Sequence, residues 1–213
     1  MPSGKLIAFE GIDNSGKDTA LVFLKNIFLN SGKLVTVIPS VTSTPIGREI
    51  RLMSTGNTPR AVNPHQLIAL FIADFYNKLA MIEDALLEGR VVLCSRWYTS
   101  TLAYSQSDSD INAIEKMIVT DIKPDILFYM DISVEESLNR AKRDRYKPAD
   151  MYSTSTYLNR AKSIYDMVLT KEKFNTVKVD ASLSIQTVTK YVYDCVCLRY
   201  PDCELKKPKY RSI

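Results

Sequence analysis

At 213 residues, with 46% apolar and 24% charged side chains, the chain has the makeup of one globular domain with a sizeable core. Its formal net charge of +4 is too weak to argue for nucleic acid and is compatible with a small anionic ligand. No apolar run approaches the ~18 residues a membrane span needs, and Glu10 and Asp13 interrupt the N-terminus too early for a signal peptide, so a cytoplasmic location is expected.

The first apolar run, Leu6-Ile7-Ala8-Phe9, reads as a short buried strand, and Leu21, Leu24 and Phe28 follow at helical spacing. Between them lies Gly11-Ile12-Asp13-Asn14-Ser15-Gly16-Lys17, a Gly-x-x-x-x-Gly-Lys pattern in strand–turn–helix context. Glycines let consecutive N–H groups converge on phosphate oxygens, the helix N-terminus points its dipole at the same anion, and Lys17 adds a mobile charge. A hydroxyl that ligates Mg²⁺ is expected next, but the residue is Asp18, and Thr19 comes one place late. A carboxylate is still a good hard-oxygen ligand, although it brings negative charge close to phosphates.

Ser31-Gly32-Lys33 stops the first helix, and Leu34-Val35-Thr36-Val37-Ile38, closed by Pro39, reads as the second strand. A Ser/Thr/Pro-rich loop leads into a short helix over residues 46–53. Asn63-Pro64 opens a long helix that runs to Leu87 and stops at Gly89. Val91-Val92-Leu93-Cys94 is the third strand, residues 126–130 the fourth and 177–179 the fifth, with helices over 134–143, 157–169 and 184–198. No regular element is assigned between the third and fourth strands, and the tail, residues 204–213, is polar.

Short apolar strands alternating with helices imply an α/β fold: a five-stranded parallel sheet with helices on both faces, in one domain over residues 1–213. Ligands of such sheets gather at the carboxyl ends of the strands, so the loops leaving all five strands are expected to converge on one site. Cys195, Cys197 and Cys203 lack a fourth ligand at zinc spacing and, with Cys94, read as thiols in a reducing compartment. The single histidine, His65, has no partner set for Ser-His-Asp or Cys-His catalysis.

Taken in order, several short stretches resemble the thymidylate kinase family, nucleoside monophosphate kinases of the phosphate-loop class. They are Phe9-Glu10-Gly11-Ile12-Asp13 before Gly16-Lys17, Thr44-Pro45-Ile46-Gly47, and Ala69-Leu70-Phe71-Ile72-Ala73. Further along come Arg96 with Ser100 and Leu102-Ala103-Tyr104, Lys123-Pro124-Asp125 to Met130-Asp131-Ile132, and Val179-Asp180-Ala181-Ser182. The resemblance implies transfer of the terminal phosphoryl group of ATP to a deoxynucleoside monophosphate, normally dTMP, with Mg²⁺, in a homodimer without nucleic-acid or membrane partners. By the same resemblance, Gly11, Ile12, Asp13, Asn14, Ser15, Gly16, Lys17, Asp18, Thr19 and Arg140 bind ATP. Asp13, Phe71, Arg96 and Tyr104 bind the acceptor: Phe71 against the base, Arg96 on the phosphate, and Asp13 and Tyr104 near the sugar. Arg140, Lys142, Arg143, Arg145 and Lys147 resemble a lid, residues 140–156, whose arginines fold over the transferring group. Since Asn14 stands where some members carry an arginine, Arg143 and Arg145 are expected to join Lys17 and Arg96 in catalysis.

Three departures stand out. Ser95-Arg96 replaces the usual Asp-Arg, no basic residue lies between Pro39 and Thr44, and Phe75 stands where an arginine would read the base edge. With Asp18 for a hydroxyl and Ser95 for a carboxylate, the two metal-site side chains are expected to have exchanged places. Loss of the base-reading arginine leaves open a kinase of another or modified deoxynucleotide, and the altered metal site leaves open a nucleotide-binding paralogue with weakened catalysis.

Overall fold

Five strands, β1 (Lys5–Glu10), β2 (Val35–Ile38), β3 (Val91–Ser95), β4 (Ile126–Asp131) and β5 (Thr176–Asp180), pair in parallel in the order β2-β3-β1-β4-β5. The computed structural model that shows this describes residues 4–55, 63–105, 107–143, 154–169, 174–201 and 204–208. In β1, β3 and β4 nearly every successive residue is buried, which requires cover on both faces of the sheet; β2 and β5, at the edges, are only partly buried. The register sets Phe9 opposite Ser95 on one side and Phe128 on the other, so the exits of β1, β3 and β4 lie side by side.

The cover comes from α1 (Lys17–Asn30), α2 (Pro45–Ser54), α3 (Pro64–Leu87), α4 (Thr99–Ala103), α5 (Asp108–Met117), α6 (Val134–Arg143), α7 (Ser155–Leu169) and α8 (Ile185–Arg199). Helix α1 buries Ala20, Leu21, Leu24, Ile27 and Phe28, each large apolar side chain stabilising by about 1.5–3 kcal/mol, and packs on β3 and α8. Helix α3 starts where Asn63 caps the His65 N–H and Pro64 takes the first turn, then runs across β1, β2 and β3.

The expected elements are all present, most one or two residues longer at an end. The two that sequence periodicity does not announce are α4 and α5. Helix α4 has five residues, too few to show a period. Helix α5 is signalled only by its cap: Ser107 accepts from the Asp110 N–H and Asp110 accepts from the Ser107 N–H. Of the expected lid, residues 140–143 finish α6, 154 precedes α7 and 155–156 begin it, whereas Arg145 and Lys147 lie outside the described residues, as does Cys203.

The loop after β2 is locked between α2 and α3. Buried Asp74, on α3, accepts from the Thr42 N–H at 3.0 Å and from the Thr42 and Thr44 hydroxyls, while Thr44 caps the Gly47 N–H of α2. Gly47 approaches so closely that a Cβ there would meet the Thr42 carbonyl oxygen at 2.0 Å. Gly47→Ala must therefore push α2 off this loop, and thermal denaturation is expected to show a loss of about 1–3 kcal/mol, a midpoint lower by several degrees.

Candidate active site

The turn leaving β1 is shaped to expose N–H groups. Gly11 has φ 137°, and a Cβ there would meet the Met130 carbonyl oxygen at 2.6 Å, so no other residue fits. Asn14 (φ 57°) and Gly16 (φ 89°) are also left-handed, and Gly16 caps α1 without any side-chain bond. The first-turn N–H groups of α1 are thus left for an anion. Lys17 is buried and donates to the Ile12 carbonyl at 2.8 Å and to Ser15 Oγ at 3.3 Å, folding its ammonium over the same loop.

Beside this loop, the turn leaving β3 presents Arg96, itself left-handed at φ 64°. Its guanidinium pairs with Asp13 at 2.5 Å and donates to the Gly11 carbonyl, Ser100 Oγ and Tyr165 Oη at 3.1–3.2 Å. Its carbon lies 5.1 Å from the Tyr104 ring centroid, and Tyr104 donates to Asp13 at 3.3 Å. Holding the turn in place is Glu10, the last residue of β1 and fully buried. Its carboxylate accepts from the Trp97 and Ser100 N–H groups, both at 2.9 Å, and from the hydroxyls of Thr99, Ser100 and Tyr165.

Arg96, Asp13, Tyr104 and Phe71 line one cavity of about 310 Å³, walled also by Ile50, Ile68, Phe75 and Trp97. The four residues expected around an acceptor are therefore brought together. Phe75 is buried among Trp97 and Tyr98, with ring centroids 4.9 and 5.6 Å away. No basic residue comes from the β2 exit itself, but Arg51 of α2 lines the cavity there and donates to the Val41 carbonyl at 2.7 Å.

On the other side of the loop, Ser95 Oγ donates to Asp18 at 2.9 Å, so the two expected metal-site residues are neighbours; Asp18 and Thr19 are exposed on the first turn of α1. Arg140 reaches from α6 to the Asn14 carbonyl at 3.4 Å and the Ala181 carbonyl at 2.8 Å, tying the loop to the exit of β5. Ser137 Oγ donates to the Asp13 carbonyl at 2.7 Å. Arg143 is exposed at the end of α6, and Arg145 lies outside the described residues. Loops from all five strands thus meet around residues 11–17. Glu10, Arg51, Lys78 and Tyr165 belong to this region without having been expected there. Only Glu10 carried a signal, as a carboxylate ending an apolar strand.

Burial, reinforced by the nearby Arg96 charge, pulls the Lys17 ammonium down to about 7, with Asp13, Asp18 and Glu10 opposing. A bound polyphosphate raises it again. Below that value Lys17 is charged before and after binding. Above it, binding must take up a proton, and affinity falls by up to about tenfold per pH unit. Titration calorimetry with ATP at about pH 8, in buffers of different ionisation heat, is expected to show uptake approaching one proton, which Lys17→Met abolishes.

Comparison with known proteins agrees with this geometry. The profile of the family described as thymidylate kinase matches residues 9–192. The chain is 30% identical to the thymidylate kinase of Buchnera aphidicola over 196 residues, covering 88% of this chain and 92% of that one. It is 31% identical to that of Desulfotalea psychrophila over 167 residues, covering 76% and 81%. A solved thymidylate kinase structure from Candida albicans superposes with a TM-score of 0.77 at 22% identity, covering 97% of this chain and 96% of that one, and so shares the fold. With a phosphate loop, a facing arginine and an aromatic-walled cavity on the same sheet edge, this chain belongs to the thymidylate kinase family.

Proposed function

We propose that this protein transfers the terminal phosphoryl group of ATP to dTMP, giving ADP and dTDP. One observation carries the proposal: Lys17 and Arg96 donate to the carbonyls of Ile12 and Gly11, adjacent residues of one loop, so a cation from each side bears on the same phosphate path. The loop N–H groups, Lys17 and Arg140 are assigned to ATP. On the acceptor side, Arg96 offers a planar fork to the dTMP phosphate, Phe71 gives the thymine a flat apolar face, and Asp13 and Tyr104 border the sugar. Arg143 and Arg145 are assigned to a lid over residues 140–156 that excludes water.

An ionised oxygen of dTMP attacks the γ-phosphorus and the bond to the ADP oxygen breaks. The nucleophile needs no base, so positioned cations around the spreading charge suffice. The donor set suits Mg²⁺. Asp18 is an exposed carboxylate hydrogen-bonded to Ser95, and among the described residues no group of three or more His, Cys, Asp or Glu side chains forms a self-contained metal cage. Asp18 and Ser95 would hold the ion, which when bound neutralises charge on the β- and γ-phosphate oxygens. Work in the cytoplasm, where ATP is plentiful, and a homodimer through α3 complete the reading. Exposed Tyr76, Met81 and Leu87 leave apolar surface on α3 that a second copy would cover, and sedimentation velocity tests the dimer.

ADP release measured with dTMP, dUMP, dCMP and dGMP is expected to show dTMP as the best acceptor; turnover with none of them would leave only a nucleotide binder. A second experiment addresses the exchanged metal-site pair. Asp18→Ser alone should lower kcat at least about a hundredfold and raise the Mg²⁺ concentration needed for half-maximal rate, and adding Ser95→Asp should recover most of both. A double variant as inactive as the single one would show that the two positions are not equivalent.

A further inference from the structure

The acceptor cavity has a charged group that none of the roles above uses. Lys78, on α3 one turn beyond Phe75, is only 5% exposed and lines the cavity. The other charged groups on that wall are engaged: Asp13 and Arg96 with each other, Asp74 by Thr42 and Thr44, and Arg51 by the Val41 carbonyl. Among the described residues Lys78 has neither a hydrogen-bond nor an ion-pair partner. A buried ammonium without an acceptor is costly, and a ligand oxygen in the cavity that Lys78 lines would offset that cost.

The surroundings narrow what that ligand atom can be. Around it the wall is apolar and aromatic, from Ile68, Phe71, Phe75 and Trp97, which suits a flat ring. Arg96 already serves the phosphate. Asp74 and Glu10 both bear electrostatically on Lys78, so a further full negative charge is opposed there, whereas a neutral carbonyl oxygen is not. Burial holds the ammonium below the usual lysine range against the pull of Cys94, Asp74 and Glu10, and an accepting oxygen would favour its charged form.

We propose that Lys78 is a specificity-determining residue whose ammonium donates to a carbonyl oxygen of the acceptor's pyrimidine ring. This rests on reading the cavity as the dTMP site. Selection of a keto-bearing base then comes from a cation on α3, beside the flat apolar wall of Ile68, Phe71, Phe75 and Trp97.

Trp97, the chain's single tryptophan, lines the same cavity and reports binding without turnover. Fluorescence titrations should compare dTMP, its difluorotoluene isostere, in which fluorine replaces both carbonyl oxygens, and 2-deoxyribose 5-phosphate, which has no base. Wild type is expected to bind dTMP about 10- to 100-fold more tightly than the isostere. Lys78→Met should lose that factor, bind the two alike, and keep its affinity for deoxyribose 5-phosphate. Undiminished dTMP affinity in Lys78→Met, or an equal loss for dTMP and deoxyribose 5-phosphate, overturns the assignment. Should the variant not fold, wild type decides: a preference for dTMP over the isostere supports the role, and equal affinity overturns it. Equal affinity alongside dTMP turnover sinks only the role of Lys78, whereas no dTMP binding by wild type sinks the kinase reading as well.

Discussion

A single buried carboxylate organises the site. Glu10 ends β1 with no exposed surface, and a carboxylate so placed costs several kcal/mol unless donors surround it. Five do: the Trp97 N–H from the turn after β3, the Ser100 N–H and the Thr99 and Ser100 hydroxyls from the start of α4, and the hydroxyl of Tyr165 from α7. Their convergence fixes that turn, and with it Arg96 in a left-handed conformation that costs on the order of 1–3 kcal/mol when unsupported. The central strand, Arg96 and α7 are thereby tied to one pair of oxygens. Burial and the neighbouring Glu10 charge also push the Tyr165 hydroxyl well above its ordinary range, so it stays protonated and able to donate.

Charge on this frame converges on one loop from two sides. Lys17 and Arg96 repel each other closely enough for Arg96 to help depress the lysine, and each is held by carbonyls of the loop between them. Asp13 offsets part of that repulsion through its pair with Arg96. A phosphate chain lying between the two cations would relieve both at once, as the proposed transfer requires. Ser137 and Arg140 brace the loop carbonyls from α6, which holds the shape of the turn.

Much of this was legible before any coordinates. Strand–turn–helix context around Gly11 and Lys17 gave the phosphate loop, because a glycine pattern flanked by opposite periodicities has few other solutions. Phe71 and Tyr104 were placed on the acceptor side by resemblance rather than by pattern, since an aromatic at helical spacing is ordinarily core. Phe75 shows why: also on α3, it is spent on Trp97 and Tyr98. Helices α4 and α5 escaped notice for want of length and apolar period, although α4 supplies three of the five donors to Glu10, from Thr99 and Ser100.

The linear order of residues determined the parallel α/β architecture, the loop and the oddity at Asp18 and Ser95, because local periodicity, turn chemistry and motif spacing are properties of neighbours along the chain. Tertiary structure alone decided that Ser95 touches Asp18, 77 positions away, that Arg51 covers a corner lacking a basic loop residue, and that Lys78 is buried beside the cavity rather than held in solvent. Those outcomes depend on strand order and helix packing, which set the distance between residues far apart in sequence and so fix which charges are buried, which are paired, and which are left for a ligand.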